Sequence, residues 1–445
     1  MSLIHRLRAQ WPLWLLVAAV LLHLAMMASL FWGYLDSWFY AADRVPQALD
    51  FFSIYEAGHS ALEGRSMYRF NFFSGFAEAK APYFSPYRYV PIFAYGPGVL
   101  FNALPPWRAY WGWVAFNELL LVANAYVTWR IAGRSVWGVV GAAMWFAFSP
   151  YYLEMYQGQF SFVMATTLLY MAIGLMHSRE LLAGVSWAIS LVTKSTTLIL
   201  TPLLLRMGWW RALAAGATLA AVNIPYFLWR PGDFEFFVRA SVNDSVDKPL
   251  YREFLYTPAD HGLLAFFQNT ALSFKPDATN VPSVLPVSLT LAVVFASLTV
   301  TFLGRRADRL LLFATWASAF FLFGGWVPEY HYVMLLPVLV LLVGHRPGFR
   351  LPALAVFVAL ALPTPYWLLN HVWNSDPVPA PLVLDTVQET WPAWSVIFYH
   401  AVKPVATLAL WAYLVAVQWR EGIELERIPQ LWSTVQGRLR LRTGE

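Results

Sequence analysis

Apolar residues in this chain gather into runs long enough to cross a bilayer, joined by short charged links and by a few longer stretches rich in aromatic and polar residues. A crossing helix needs about 20 mostly apolar residues. Runs near that length, some with ragged ends, lie at 11–34, 107–131, 136–153, 159–176, 211–229, 283–303, 309–327, 330–344, 351–369 and 395–418. The first follows His5, Arg6 and Arg8 and lacks a small-residue cleavage motif, so it reads as a retained helix and not a signal peptide. The pattern predicts an all-α polytopic membrane protein with about 11–13 transmembrane segments.

The run from Leu181 to Leu205 does not fit a single straight crossing. One crossing would put Arg179 on one side of the membrane and Arg206 with Arg211 on the other, against the tendency of basic residues to share the inner side. Two half-helices of about 12 residues, each about 18 Å long, would instead enter, turn at Lys194-Ser-Thr, and return. With that hairpin the inner side collects Arg6, Arg8, Arg130, Arg134, Arg179, Arg206, Arg211, Arg305, Arg306, Arg309, Arg346 and Arg350, and both termini are inside. The outer side then holds three long segments, 35–106, 230–282 and 370–394. Residues 1–418 read as one transmembrane domain, and 419–445 as a basic amphipathic tail lying on the inner surface.

Composition narrows the function classes. With 59% hydrophobic, 18% aromatic and only 12% charged residues, the chain is neither a water-soluble globule nor a nucleic-acid-binding protein. The absence of cysteine removes disulfides, thiolate metal sites and cysteine nucleophiles. His59, His261, His331, His371 and His400 stand apart, so the spacing offers no metal site; no Gly-rich phosphate loop is present, and no cofactor is expected. No internal repeat or inverted hydropathy symmetry marks the chain as a secondary transporter. The large first outer segment suggests an enzyme working at the outer membrane interface.

Within that segment, Phe51, Ile54, Tyr55 and Gly58 recur at helical spacing, predicting an amphipathic helix over 50–62 that ends at Gly64, with an aromatic segment from Phe70 to Ala81 beside it. Asp50 falls in its first turn. There it can serve as a cap or dipole partner, or as a carboxylate that takes a proton from an attacking hydroxyl at headgroup depth. Lys194 is the one charge in its apolar stretch; it can meet a phosphate, snorkel, or pair with an acid such as Glu118. Glu329 and His331 share a short outer turn, and Gln159 sits in another, at 154–161, where it can hydrogen-bond a sugar. Glu118, Asn117 and Asn124 in the 107–131 run read as helix-to-helix contacts.

Taken in chain order, these segments resemble the polyprenol-phosphate-dependent glycosyltransferases of family 87, in the GT-C superfold. Asp50-Phe-Phe-Ser-Ile-Tyr-Glu-Ala, Leu62-Glu-Gly and Tyr68 resemble the family's Asp-x-x-x-Tyr, Ala, Gly, Tyr opening, and Tyr89-Val-Pro-Ile-Phe-Ala-Tyr-Gly-Pro with Leu104-Pro its Tyr-Pro-Pro segment. Gly158-Gln-Phe-Ser resembles Gly-Gln-x-Asn, Val192-Thr-Lys-Ser-Thr-Thr resembles Leu-Lys-x-x-Pro, and His331-Tyr-Val-Met-Leu-Leu-Pro resembles His-Tyr-x-x-x-Leu-Pro. Ser161, Val90 and Thr197 depart from the family's asparagine and two prolines.

The resemblance implies a bundle of the GT-C type and an inverting hexose transfer, from a polyprenyl-phosphate sugar (mannose first among the sugars) to a lipid or glycan acceptor at the outer face of a bacterial plasma membrane. Asp50 would be the general base. Lys194, with His331 or Arg88, would stabilise the leaving phosphate, and Tyr55, Tyr68, Gln159 and Glu329 would position substrate. Two other readings compete: a transporter or flippase of a lipid-linked sugar, using the same acids and lysine as a path, and a structural membrane subunit for which neither Asp50 nor Lys194 matters.

Overall fold

A computed structural model describes residues 3–35, 46–68, 79–238, 260–274, 284–306, 308–323, 327–363 and 392–424. Among them the secondary structure is helical, with only two isolated β-bridges. In chain order the helices are α1 (Leu3–Phe31), α2 (Leu49–Leu62), α3 (Pro91–Phe101), α4 (Pro106–Ile131), α5 (Val136–Phe146), α6 (Ser149–Gln157), α7 (Ser161–Met176), α8 (Glu180–Thr193) and α9 (Thr201–Met207). They continue as α10 (Trp210–Ala221), α11 (Ile224–Trp229), α12 (Pro231–Val238), α13 (Leu263–Phe274), α14 (Val284–Leu303), α15 (Arg309–Phe323), α16 (Leu336–His345), α17 (Arg350–Ala361) and α18 (Ala393–Arg420). Single 3₁₀ segments, Ser195–Leu200 and Glu329–Leu335, lead into α9 and α16.

Five stretches are long and apolar enough to span a bilayer: Gln10–Phe31, Val136–Gln157, Trp210–Trp229, Val284–Leu303 and Ala393–Arg420. The protein is therefore an all-α polytopic membrane protein. Several of the other apolar runs are broken into shorter helices of 10–17 residues. Lys194 takes an extended backbone between α8 and the 3₁₀ turn, and Phe148 does so ahead of Pro150, where a proline fits only the first turn of the next helix. Such breaks release backbone groups that lipid cannot satisfy, so they are tolerated where protein or a water-filled cavity surrounds them.

The stretch around Lys194 runs out and back. The Arg211 N–H donates to the Glu180 carboxylate (3.0 Å), Gly184 lies against Ala212, and Trp187 lies against Gly216. Helices α8 and α10 are thus side by side and parallel, which requires the intervening residues to reverse. The indole of Trp187 donates to the Thr197 carbonyl (2.9 Å) and the Ser190 hydroxyl to that of Thr197 (2.9 Å), closing the turn that presents Lys194.

The centre of the bundle is α16, buried from Leu336 to Val343, packed among α5, α7 and α17. Helix α2 is enclosed: every residue from Phe51 to Gly58 is buried, more than one apolar face requires. The close approach of α3 explains this, since a Cβ at Gly58 would stand 2.1 Å from the Gly98 carbonyl carbon. The aromatic segment expected at Phe70 to Ala81 falls largely outside the described residues, as do most of the third outer segment and of the tail after Glu424.

Candidate active site

Asp50 is the second residue of α2, and it does not cap the helix. Ala48 holds the cap position with φ of 65° and no side-chain cap bond, tied by its N–H to the Tyr156 carbonyl (2.7 Å). The Asp50 oxygens are used elsewhere. Oδ1 accepts from the Ser85 hydroxyl (2.6 Å) and Oδ2 from the Gln159 side-chain amide. Asp50 keeps some exposed surface, yet loss of water around its carboxyl raises its pKa above the ordinary value, against the opposing pull of Ser85, Arg88, Gln159 and Lys194. A carboxylate in that state is a stronger base than one in water.

Gln159 is held where it can reach Asp50 by Gly158. This glycine ends α6 with φ of +68°, and a Cβ there would lie 2.4 Å from the Phe51 Cβ. Only glycine meets both demands at low cost. The Gln159 carbonyl oxygen accepts from the Tyr89 hydroxyl (3.1 Å), and its amide also donates to the Tyr330 hydroxyl (3.1 Å). One side chain therefore joins the stretch between α1 and α4, the α6–α7 turn and the 3₁₀ segment before α16.

On the other side of Tyr330, whose ring meets that of His331 edge-on at 4.8 Å, the Lys194 ammonium lies 2.5 Å from Nε2 of His331. A lysine donating to Nε2 leaves the ring proton on Nδ1. That atom is buried and has no hydrogen-bond partner in the structure. Asp50, Ser85, Arg88, Tyr89, Gln159, Lys194, Tyr330 and His331 therefore form one polar cluster, assembled from residues at helix ends and helix breaks.

The other residues singled out from the sequence lie differently. The Tyr55 hydroxyl donates to the Leu104 carbonyl (2.9 Å), locking α2 to the chain after α3. Tyr68 stands one step behind the cluster: its hydroxyl donates to the Tyr89 carbonyl (2.6 Å), and its ring packs on Tyr87 and Phe227. Glu329 forms an ion pair with Lys403 (3.1 Å), both side chains almost fully buried at 3% and 1% exposure. Glu118 binds His23 (2.7 Å) and Tyr151 (2.7 Å), a contact between helices. No group of three or more metal-ligating side chains occurs among the described residues.

Sequence reasoning missed Ser85, Tyr89 and Tyr330 as partners of Asp50 and Gln159, and Lys403 as the partner of Glu329. The three hydroxyl residues sit in aromatic stretches where nothing local separates them from an interfacial belt. Lys403 carried a usable signal, a lysine in an apolar run, the same signal that drew attention to Lys194.

Compared with known proteins, the chain matches the family model described as glycosyltransferase family 87 over residues 87–327. That stretch contains Arg88, Gln159 and Lys194; Asp50 and His331 lie on either side of it. No curated protein matches the chain.

Proposed function

The chain belongs to glycosyltransferase family 87 and is a membrane glycosyltransferase; from that premise we propose that it moves a hexose, mannose first among candidates, from a polyprenyl-phosphate donor to a lipid or glycan acceptor, with inversion, at the outer face of the plasma membrane. The observation that carries this reading is a half-buried carboxylate and a cation joined through one hydrogen-bonded cluster. Asp50 is fixed on both oxygens, and Lys194, within electrostatic range of it, meets His331.

In this reading Asp50 accepts the proton of the acceptor hydroxyl as that oxygen attacks the anomeric carbon, and the carbon–phosphate oxygen bond breaks on the opposite side. Charge builds on the departing phosphate. Lys194 supplies a compact cation and the unpartnered Nδ1–H of His331 a donor, with Arg88 adding to the positive field. Such groups, fixed in advance, stabilise charge without first reorganising. Ser85 and Gln159 orient the base, Tyr89 and Tyr330 orient Gln159, and Tyr68 holds Tyr89. The outer location rests on the distribution of arginines along the chain, which puts 35–106, 230–282 and 370–394 opposite the basic links.

The test is to incubate purified protein with short-chain polyprenyl-phosphate sugars and a membrane-lipid extract, and to follow polyprenyl phosphate by mass spectrometry. Wild type is expected to release it and to form a glycolipid of matching mass. Asp50→Asn is expected to lose at least about 10³-fold in rate, with its behaviour in detergent unchanged. An Asp50→Asn protein as active as wild type would remove the base assignment, and a wild type inert toward every donor would remove the donor class.

A further inference from the structure

A second carboxylate lies beside the cluster, and the proposed mechanism does not use it. Glu154, on α6, is fully buried. Its Oε1 accepts from the Phe162 N–H (2.9 Å), satisfying a backbone donor in the first turn of α7. Its Oε2 is buried and has no hydrogen-bond partner. The Ser161 N–H and hydroxyl both lie against this carboxylate and act on it, but the hydroxyl, 2% exposed as a residue, completes no hydrogen bond of good geometry. Leaving such atoms unsatisfied in an interior is costly, and the cost disappears once a donor and acceptor of the right shape arrive.

Their position relates them to the reaction. Gln159, which grips Asp50, lies in the turn between Glu154 and Ser161, and its N–H bonds the Glu154 carbonyl (3.1 Å). Lys194 acts electrostatically on both Glu154 and Asp50, and both carboxylates act on Tyr89. Helices α6 and α7 each pack on the 3₁₀ segment that carries Tyr330 and His331. A carboxylate oxygen next to a serine hydroxyl suits one particular group, an alcohol that donates to the first and accepts from the second.

We propose that Glu154 and Ser161 form a subsite for one ring hydroxyl of the transferred sugar, with Glu154 Oε2 accepting its hydrogen bond and the Ser161 hydroxyl donating to its oxygen. This rests on the reading of the cluster as a sugar-transfer site. The pair then selects among hexoses by the placement of that hydroxyl, while Asp50 and Lys194 serve the bond being exchanged.

The experiment uses short-chain polyprenyl phosphate mannose and its four monodeoxy counterparts with wild type, Glu154→Gln and Ser161→Ala. The Glu154→Gln amide oxygen can still accept from Phe162, so the α6–α7 turn is retained, and Ser161→Ala removes the second group with little change of shape. Wild type is expected to lose about 10- to 100-fold in kcat/KM with one deoxy donor, the usual range for a hydrogen bond to a charged group. Glu154→Gln is expected to show that loss already with the parent donor and to discriminate no further against the deoxy compound, with Ser161→Ala showing a smaller form of the same behaviour. Variants that rank the five donors as wild type does, or that lose rate equally on all of them, overturn the subsite: the orphaned atoms then hold water or serve the fold. A wild type that consumes none of these donors overturns the donor reading, and the subsite falls with it.

Discussion

Two lysines that interrupt apolar runs invite comparison. Lys403, on α18, is 1% exposed and donates to the carbonyls of Leu360 and Leu362 (2.8 Å each), while its charge is met by Glu329 at 3.1 Å. Two carbonyls take hydrogen bonds from its ammonium, and the carboxylate cancels its charge. Lys194 stands at the break between α8 and a 3₁₀ turn, partly exposed, and its ammonium meets a ring nitrogen of His331. An imidazole lone pair satisfies one of its donors without itself supplying a counter-charge. Both lysines interrupt apolar runs, and both satisfy the rule that an intramembrane charge needs a reason. Geometry separates the two: a carboxylate partner and helix-end carbonyls describe a fastening for Lys403, whereas Lys194 meets an imidazole at a chain reversal, within electrostatic range of Asp50, where the proposed reaction would place the departing phosphate.

The sharpest way to break this comparison is at Lys403. Lys403→Met takes from the buried Glu329 the cation that faces it, and about 3–5 kcal/mol of stability should be lost, read as a lower thermal transition in detergent. Combining it with Glu329→Gln should recover most of that loss; a single variant as stable as wild type would show that the pair fastens nothing. Next in size is Lys194→Met, expected to cost about 10²-fold in transfer rate and to weaken the donor more than the acceptor, with stability changed by no more than about 1 kcal/mol. Equal weakening of both substrates, or unfolding, would put Lys194 in the same class as Lys403.

The smallest effect concerns Asp50. Its folded pKa is raised, so the native state binds the proton more tightly than the unfolded chain does. The stability it contributes is present below the ordinary aspartate range and is lost as pH rises through the raised value. Transfer runs the opposite way, since the base must be ionised. Activity should therefore climb with pH, along an acid limb above the usual carboxylate range, over the interval in which wild-type thermal stability declines. Asp50→Asn should lack the stability decline and match or exceed wild type in melting temperature near neutral pH. An acid limb at the ordinary aspartate value would contradict the burial argument.

How much of this was legible in the sequence depends on the range of the interaction. The helical class follows from the spacing of apolar runs, and the reversal at Lys194 from the side on which Arg179 and Arg211 must lie. Asp50, Gln159, Lys194 and His331 stood out because an unusual residue at a helix end or break is visible locally, and because their order resembled a family. Ser85 and Tyr330 were invisible, since each matters only through a partner far along the chain: 35 residues separate Ser85 from Asp50, and 171 separate Gln159 from Tyr330. Tyr55 was misleading in a different way. It shares the helix of Asp50, yet its hydroxyl ends on the Leu104 carbonyl, because rotation around a helix decides direction and spacing alone leaves the destination open. Glu154 lies in the last turns of α6, just before Gln159, but one acid among apolar neighbours gives no indication of which oxygen will lack a partner.

The fastening at Glu329 has a consequence for how the protein is made. Chains emerge from the ribosome at about 5–20 residues per second, so the segment carrying Glu329 is complete while the helix that bears Lys403 is still being synthesised. During that interval the Glu329 carboxyl lacks the Lys403 ammonium, and placing it ionised in a dry interior without that partner is costly. Settling of the acid in the interior is therefore favoured by the arrival of α18. Because Glu329 lies two residues from His331, the turn that carries the His331 side of the cluster is fastened by a helix made later in the chain.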